Sequence, residues 1–284
     1  MAVTSPKPFI DPLIEAIDLH SEVNGSDYQL RIRLPASYRA GQEQRYPVFV
    51  VLDAEVSFGL AGDTAALEAI WSRTPWAMQS RAPLPELIVV GVALPGLAEN
   101  QVRRNYEYMP ALDLDDVPEP AASQLRAAVE HHGYRQGGAT TFLEVMQQEI
   151  LPTIERLYRT DPGRRILFGQ SAGGTFCCYT LLTRPETFTD YILVSPGLPD
   201  ETLFRLEADR ARSHDDLRAG VFIAAGGREI MDPLNILSRT ARFAEALQIR
   251  NYPNLRLRTW FIPDASHVQT AAPSIARGLN ELLG

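Results

Sequence analysis

Ser171 lies at the centre of Gly169-Gln170-Ser171-Ala172-Gly173, with Gly174 next in line. A serine hydroxyl becomes a useful nucleophile when a sharp turn exposes it and a nearby base removes its proton. The five-residue pattern alone is weak, because a chain of this length holds one by chance roughly one time in ten. Its surroundings strengthen it. Ile166 to Phe168 reads as a short buried strand running into the turn, and Thr175 to Leu182 as the helix leaving it. Small residues on either side leave room for the backbone to reverse. Such a turn would place the hydroxyl at the carboxyl edge of a sheet and the Ala172 N–H at a helix start, aimed at a developing oxyanion.

The base must come from His20, His131, His132, His214 or His267. His267, in Asp264-Ala265-Ser266-His267, follows the last strand-like run and precedes a terminal helix starting near Pro273. It therefore comes last in the order nucleophile, acid, base. The acid should leave the sheet after the run Val221 to Ala225, in Gly226-Gly227-Arg228-Glu229-Ile230-Met231-Asp232. Glu229 is preferred, because two glycines before it let the backbone turn the carboxylate towards the histidine. Asp232 is the alternative, although Asp232-Pro233 reads as the cap and first residue of the next helix. Asp264 is a third and poorer candidate, only three residues before the base. A second oxyanion donor is expected from the backbone of Ala54 or Glu55, after the run Val48 to Leu52. No His and Cys cluster has zinc-ligand spacing, and neither metal nor organic cofactor is expected.

These residues need a scaffold, and the sequence supplies the signs of one. Tyr28 to Leu34 alternates as a half-buried antiparallel strand does. Val48 to Leu52 and Leu87 to Ala93 are continuous apolar runs suited to buried strands, and Ile166 to Phe168, Tyr191 to Val194, Val221 to Ala225 and Leu255 to Phe261 continue the series. About seven strands alternating with helices predict an α/β fold: a mostly parallel central sheet flanked by helices. Phe142 to Tyr158 has helical spacing with Pro152 as a kink or restart. Residues 111–140 hold clustered acids and prolines, a short helix over Leu125 to Val129, then glycines. This stretch reads as an inserted lid or as a plain surface loop.

The 284 residues are 45% hydrophobic and 22% charged, enough for a sizeable core in one domain. The net charge of −8 argues against nucleic acid or an anionic membrane as partner and leaves a small molecule. No run of about 18 apolar residues could span a bilayer. The first twenty residues lack the basic start and apolar stretch of a secretory signal. The cysteines, Cys177 and Cys178, are adjacent and poorly placed to bridge each other, so the chain reads as a reduced, cytoplasmic protein.

Several runs together resemble a known family. They are Tyr46-Pro47-Val48-Phe49-Val50-Val51-Leu52-Asp53, Arg103-Arg104-Asn105-Tyr106-Glu107-Tyr108-Met109-Pro110, Phe142 through Pro152, the Ser171 turn, Ser195-Pro196, Gly226-Gly227-Arg228-Glu229 and Ser266-His267. The chain resembles the esterase family of α/β-hydrolases that holds enterobactin-type siderophore esterases, S-formylglutathione hydrolases, feruloyl esterases and mycolyltransferases. The Arg-Arg run and the Gly-x-Arg-Glu run look most like the siderophore esterase branch. The resemblance implies the α/β-hydrolase fold and an ester or lactone, siderophore-like or aryl, as substrate. Ser171, His267 and Glu229 would form an acyl-enzyme site. Ala54, Gly197, Glu107 and Val268 depart from the usual residues, which implies a reshaped pocket. Arg103 and Arg104 could hold an anionic substrate by paired hydrogen bonds, or pair with Glu99 and Glu107. Trp76, with Trp71 and Met78, could line an apolar pocket or belong to the core. The rival readings are acyl transfer through the same residues and a non-catalytic binding module on a hydrolase scaffold.

Overall fold

The computed structural model describes residues 11–40, 43–74, 83–96, 101–112, 115, 119, 121–132, 137–197, 200–231 and 234–284. Among the described residues, eight strands form one sheet: β1 (Ile14–His20), β2 (Asp27–Arg33), β3 (Tyr46–Leu52), β4 (Ile88–Ala93), β5 (Thr160–Gln170), β6 (Asp190–Val194), β7 (Ala219–Gly226) and β8 (Leu255–Ile262). Their spatial order is β1-β2-β4-β3-β5-β6-β7-β8. The first two pairings, β1 with β2 and β2 with β4, are antiparallel, and all others are parallel. Seven strands stand where the apolar runs predicted them. The eighth, β1, is a largely exposed edge strand carrying Glu15, Asp18 and His20, so it has no apolar run to announce it.

Helices cover both faces, as a parallel sheet requires. They are α1 (Ala54–Trp71), α2 (Gln101–Tyr108), α3 (Ala121–His132), α4 (Ala139–Val145), α5 (Leu151–Leu157), α6 (Ala172–Thr183), α7 (Asp200–Ser213), α8 (Ile236–Arg250) and α9 (Ala271–Leu283). Alternate residues of β3 serve opposite layers, since successive side chains leave a strand on opposite faces. Phe49 and Val51 pack with Phe58, Ala61 and Ala65 of α1 and with Ile275 and Leu279 of α9. Val48, Val50 and Leu52 face the other core, with Tyr108, Phe142, Phe176 and Phe243.

Three local expectations are refined. The Phe142–Tyr158 pattern is helical, but Met146–Ile150 between α4 and α5 is a π-helical turn. A wider turn there accommodates Pro152, which has no N–H to give the α ladder. Asp232-Pro233 does not begin α8. That helix starts at Ile236, with Asn235 at its N-cap in the left-handed region, and Asp232 and Pro233 lie outside the described residues. Within 111–140, α3 runs well beyond the expected Leu125 to Val129, and the linking residues 113, 114, 116–118, 120 and 133–136 are outside the described set.

One aromatic cluster bears directly on the site. The Phe142 ring lies 5.4 Å from Tyr108, 4.9 Å from Phe176 and 5.8 Å from Tyr28, joining α4 to α2, α6 and β2. Phe142→Ala should cost about 3–5 kcal/mol. Urea unfolding monitored by circular dichroism would measure it.

Candidate active site

The Ser171 turn is as sharp as its sequence requires. Ser171 sits at φ 59°, ψ −123°, between the end of β5 and the start of α6, and its N–H donates to Val194 O at 3.0 Å. A non-glycine residue keeps such a conformation only where its surroundings enforce it. Here two glycines permit the close approach. A Cβ on Gly169 would stand 2.2 Å from Gly173 O, and one on Gly174 would stand 2.5 Å from Val194 O. The tight positions are therefore 169 and 174, whereas a Cβ at Gly173 would meet Asp53 at an ordinary 3.4 Å. Ala172 is the first residue of α6, so its N–H has no carbonyl one turn earlier to bond.

His267 and Glu229 meet directly. His267 Nδ1 is hydrogen-bonded to Glu229 Oε1, so Nε2 is the ring nitrogen left for chemistry. Glu229, on the short turn after β7, is only 2% exposed. Its other oxygen accepts from Ser195 Oγ at 2.8 Å and from the Gly226 N–H at 2.6 Å. Burial disfavours the charge, yet the bonds from His267, Gly226 and Ser195 outweigh it and hold the carboxyl below its ordinary pKa. Asp264, the third candidate acid, takes positive φ (56°) in the turn between β8 and His267.

The link from the serine turn to the base runs through Gln170. Its side-chain Nε2 donates to His267 O at 2.5 Å and to Thr270 Oγ1 at 2.8 Å. Thr270 Oγ1 lies 3.3 Å from Ser195 Oγ and 2.8 Å from His267 O. A chain of hydrogen bonds thus joins Gln170, Thr270, Ser195, Glu229 and His267. A direct bond between nucleophile and base commonly closes only once substrate is bound.

The turn after β3, where an oxyanion donor was expected, is held as firmly. Asp53 adopts φ 54°, ψ 50° between β3 and α1, and Ala54 and Glu55 open that helix. Arg104 grips Asp53 with two bonds, 2.5 and 2.7 Å. Arg31 Nη1 donates to Ala54 O at 3.2 Å, and Glu55 Oε1 accepts the Leu94 N–H at 2.5 Å. The Asp53 N–H points at Tyr108 Oη, 3.4 Å away. The amides of Ala54 and Glu55, in the first turn of α1, have no earlier helical carbonyl to bond.

The two arginines thus have partners within the protein. Arg104 holds Asp53 and lies over the Tyr108 ring. Arg103 bonds Glu107 at 2.8 Å and Asp27 O at 2.9 Å, over the Tyr28 ring. Glu107 is buried, which raises its pKa against the pull of Arg103. Trp71 is a half-exposed residue at the end of α1, and Trp76 and Met78 lie outside the described residues. Sequence reasoning missed Ser195, Gln170, Thr270 and Arg31 as positioning groups. Ser195 carried one signal, a polar residue ending the apolar run of β6. It is fully buried at positive φ.

Among the described residues no helix is long and apolar enough to cross a membrane, and no group of three or more His, Cys, Asp or Glu is arranged to hold a metal ion. Cys177 and Cys178 are both buried and unbridged in α6.

With this geometry in view, comparison with known proteins is informative. Residues 110–250 match the model of a protein family described as "Putative esterase". The chain belongs to that family. It is 29% identical over 153 residues, 54% of its length, to the ferri-bacillibactin esterase BesA of Bacillus subtilis. It is 26% identical over 196 residues, 68% of its length, to the siderophore triacetylfusarinine C esterase of Aspergillus fumigatus. The matched stretches span 48% and 59% of those two relatives. The crystal structure of the BES protein from Bacillus cereus superposes with a TM-score of 0.80 at 22% identity, covering 99% of this chain and 100% of that one. The fold is that of the α/β-hydrolases, as the sequence resemblance implied.

The Ser195 and Glu229 contacts give two predictions. Ser195→Ala leaves a buried carboxylate oxygen short of a donor and should destabilise by about 1.5–3 kcal/mol, measured by urea unfolding. The lowered Glu229 pKa contributes stability that is fully present above its unfolded value of about 4.3 and is lost as pH falls through the lower folded value. The stability gap between wild type and Glu229→Gln, measured the same way, should therefore be wide at pH 7 and shrink as the medium is acidified past that value.

Proposed function

We propose that the protein is a serine carboxylic-ester hydrolase working through an acyl-enzyme. Ser171 Oγ attacks the carbonyl of an ester or lactone while His267 Nε2 takes its proton. Glu229 holds His267 in the tautomer with Nδ1–H towards the carboxylate and stabilises the imidazolium that forms. The Ala172 N–H and one from Ala54 or Glu55 receive the oxyanion. His267 then protonates the departing alcohol, and water, activated by the same nitrogen, releases the acid. No step draws on a cofactor.

The observation that carries this reading is the bond between His267 and the buried, ionised Glu229, tied through Gln170 to the strained Ser171 turn. A surface-loop histidine would not need a buried carboxylate, and an idle serine would not need positive φ. Membership of the esterase family and similarity to siderophore esterases point the same way. A siderophore-like or aryl ester is the substrate this likeness favours.

A fluorophosphonate probe should add one mass equivalent to native protein, on the peptide holding Ser171, and none to Ser171→Ala. Turnover should drop by several orders of magnitude in Ser171→Ala or His267→Ala, and by less in Glu229→Ala. Folded wild type that takes no label would overturn the proposal. A crippled Asp232→Ala beside a nearly normal Glu229→Ala would move the acid to Asp232.

A further inference from the structure

Four large apolar side chains are exposed on the segments that carry the proposed working groups. Val56 is 67% exposed, Met231 85% and Val268 82%, and Ile230 is half exposed. Each stands within two residues of a proposed working group. Val56 follows Ala54 and Glu55, Ile230 and Met231 follow Glu229, and Val268 follows His267. The turns that carry them leave β3, β7 and β8 at the carboxyl edge of the sheet, the edge from which the Ser171 turn leaves β5. Large apolar side chains left in water beside a catalytic group gain nothing for the fold and gain contact when a ligand covers them. A molecule whose carbonyl rests on Ser171 is the ligand placed to do so.

The charges nearby are arranged to match. Arg104 is gripped by Asp53, Arg103 by Glu107 and the Asp27 carbonyl, and Arg31 by the Ala54 carbonyl and Gln29. Glu55 holds the Leu94 N–H. Arg228 is exposed on the Glu229 turn and could meet one anionic group, against a chain of net charge −8. A polyanionic ester would lose its hydration here with few cations among the described residues to replace it.

We infer that the apolar rim of Val56, Ile230, Met231 and Val268 selects uncharged esters with apolar groups beside the carbonyl, and discriminates against strongly anionic ones. This rests on Ser171 being the nucleophile of an ester hydrolase.

The test compares kcat/KM for para-nitrophenyl hexanoate with that for mono-para-nitrophenyl adipate, which has the same chain length and a terminal carboxylate. Rates are corrected for spontaneous hydrolysis. Wild type should prefer the hexanoate by about tenfold or more. Val268→Thr and Met231→Gln make the rim polar without adding charge, and both sites face solvent, so folding should survive. Each should lower the ratio of hexanoate to acetate kcat/KM by roughly three- to fivefold. Equal or faster turnover of the adipate, or ratios unmoved by both substitutions, would overturn the inference. So would variants that change only the oligomeric state by light scattering, since the rim would then be a contact between copies. Hydrolysis that persists in Ser171→Ala would instead overturn Ser171 as the nucleophile, the reading on which this inference rests.

Discussion

A carboxylate excluded from water must find hydrogen-bond donors or lose its charge, and the arrangement around Glu229 follows from that constraint. Its donors come from three separate places. Ser195 follows β6, Gly226 ends β7, and His267 follows β8. Satisfying one buried charge therefore brings the carboxyl ends of three neighbouring strands into register. Thr270 and Gln170 extend the same network to β5, and with it to the Ser171 turn. The low pKa of Glu229 is the electrostatic sign that the donors outweigh burial. A histidine held by a carboxylate that stays ionised keeps one tautomer, and its free nitrogen is the one a serine needs.

The opposite flank rests on a second carboxylate with a different partner. Asp53 caps the turn after β3 in a left-handed conformation, and the paired bonds from Arg104 fix it there. Tyr108 ties that turn to the aromatic cluster beneath α6, the helix whose first amide follows Ser171. The two flanks differ in what they hold rigid. One fixes the His267 imidazole, and the other fixes the backbone where α1 begins. An oxyanion site works because its dipoles are already oriented before charge develops, so a clamped turn suits it.

The centre of the sheet was legible in the sequence because β3, β4, β6 and β7 are buried on both faces and read as nearly continuous apolar runs. The edge strand β1 was not, since an exposed strand can carry charges at most positions. Ser171 and His267 could be singled out because chain order and local pattern point to them, and the structure sets His267 against Glu229. The choice of Glu229 was aided by its glycines, although Gly226 contributes above all an N–H to the carboxylate. Arg104 could not be assigned, because a guanidinium serves a substrate and an internal Asp equally well, and Asp53 is 51 residues away in the chain. The positioning roles of Ser195, Gln170 and Thr270 escaped notice for a related reason. Their roles exist only where three strand ends converge, and no spacing along the chain encodes that.

The bond between Glu229 and His267 can be observed without any substrate. An imidazole N–H held by a carboxylate and shielded from water gives a strongly downfield proton resonance, and selective labelling of histidine assigns it. The resonance should be present in wild type and in Ser171→Ala, absent in Glu229→Gln and His267→Gln, and unaffected by Asp232→Asn. A signal that survives Glu229→Gln, or one that vanishes in Asp232→Asn, would show that the acid has been misplaced and that the network built on Glu229 is not what holds the site.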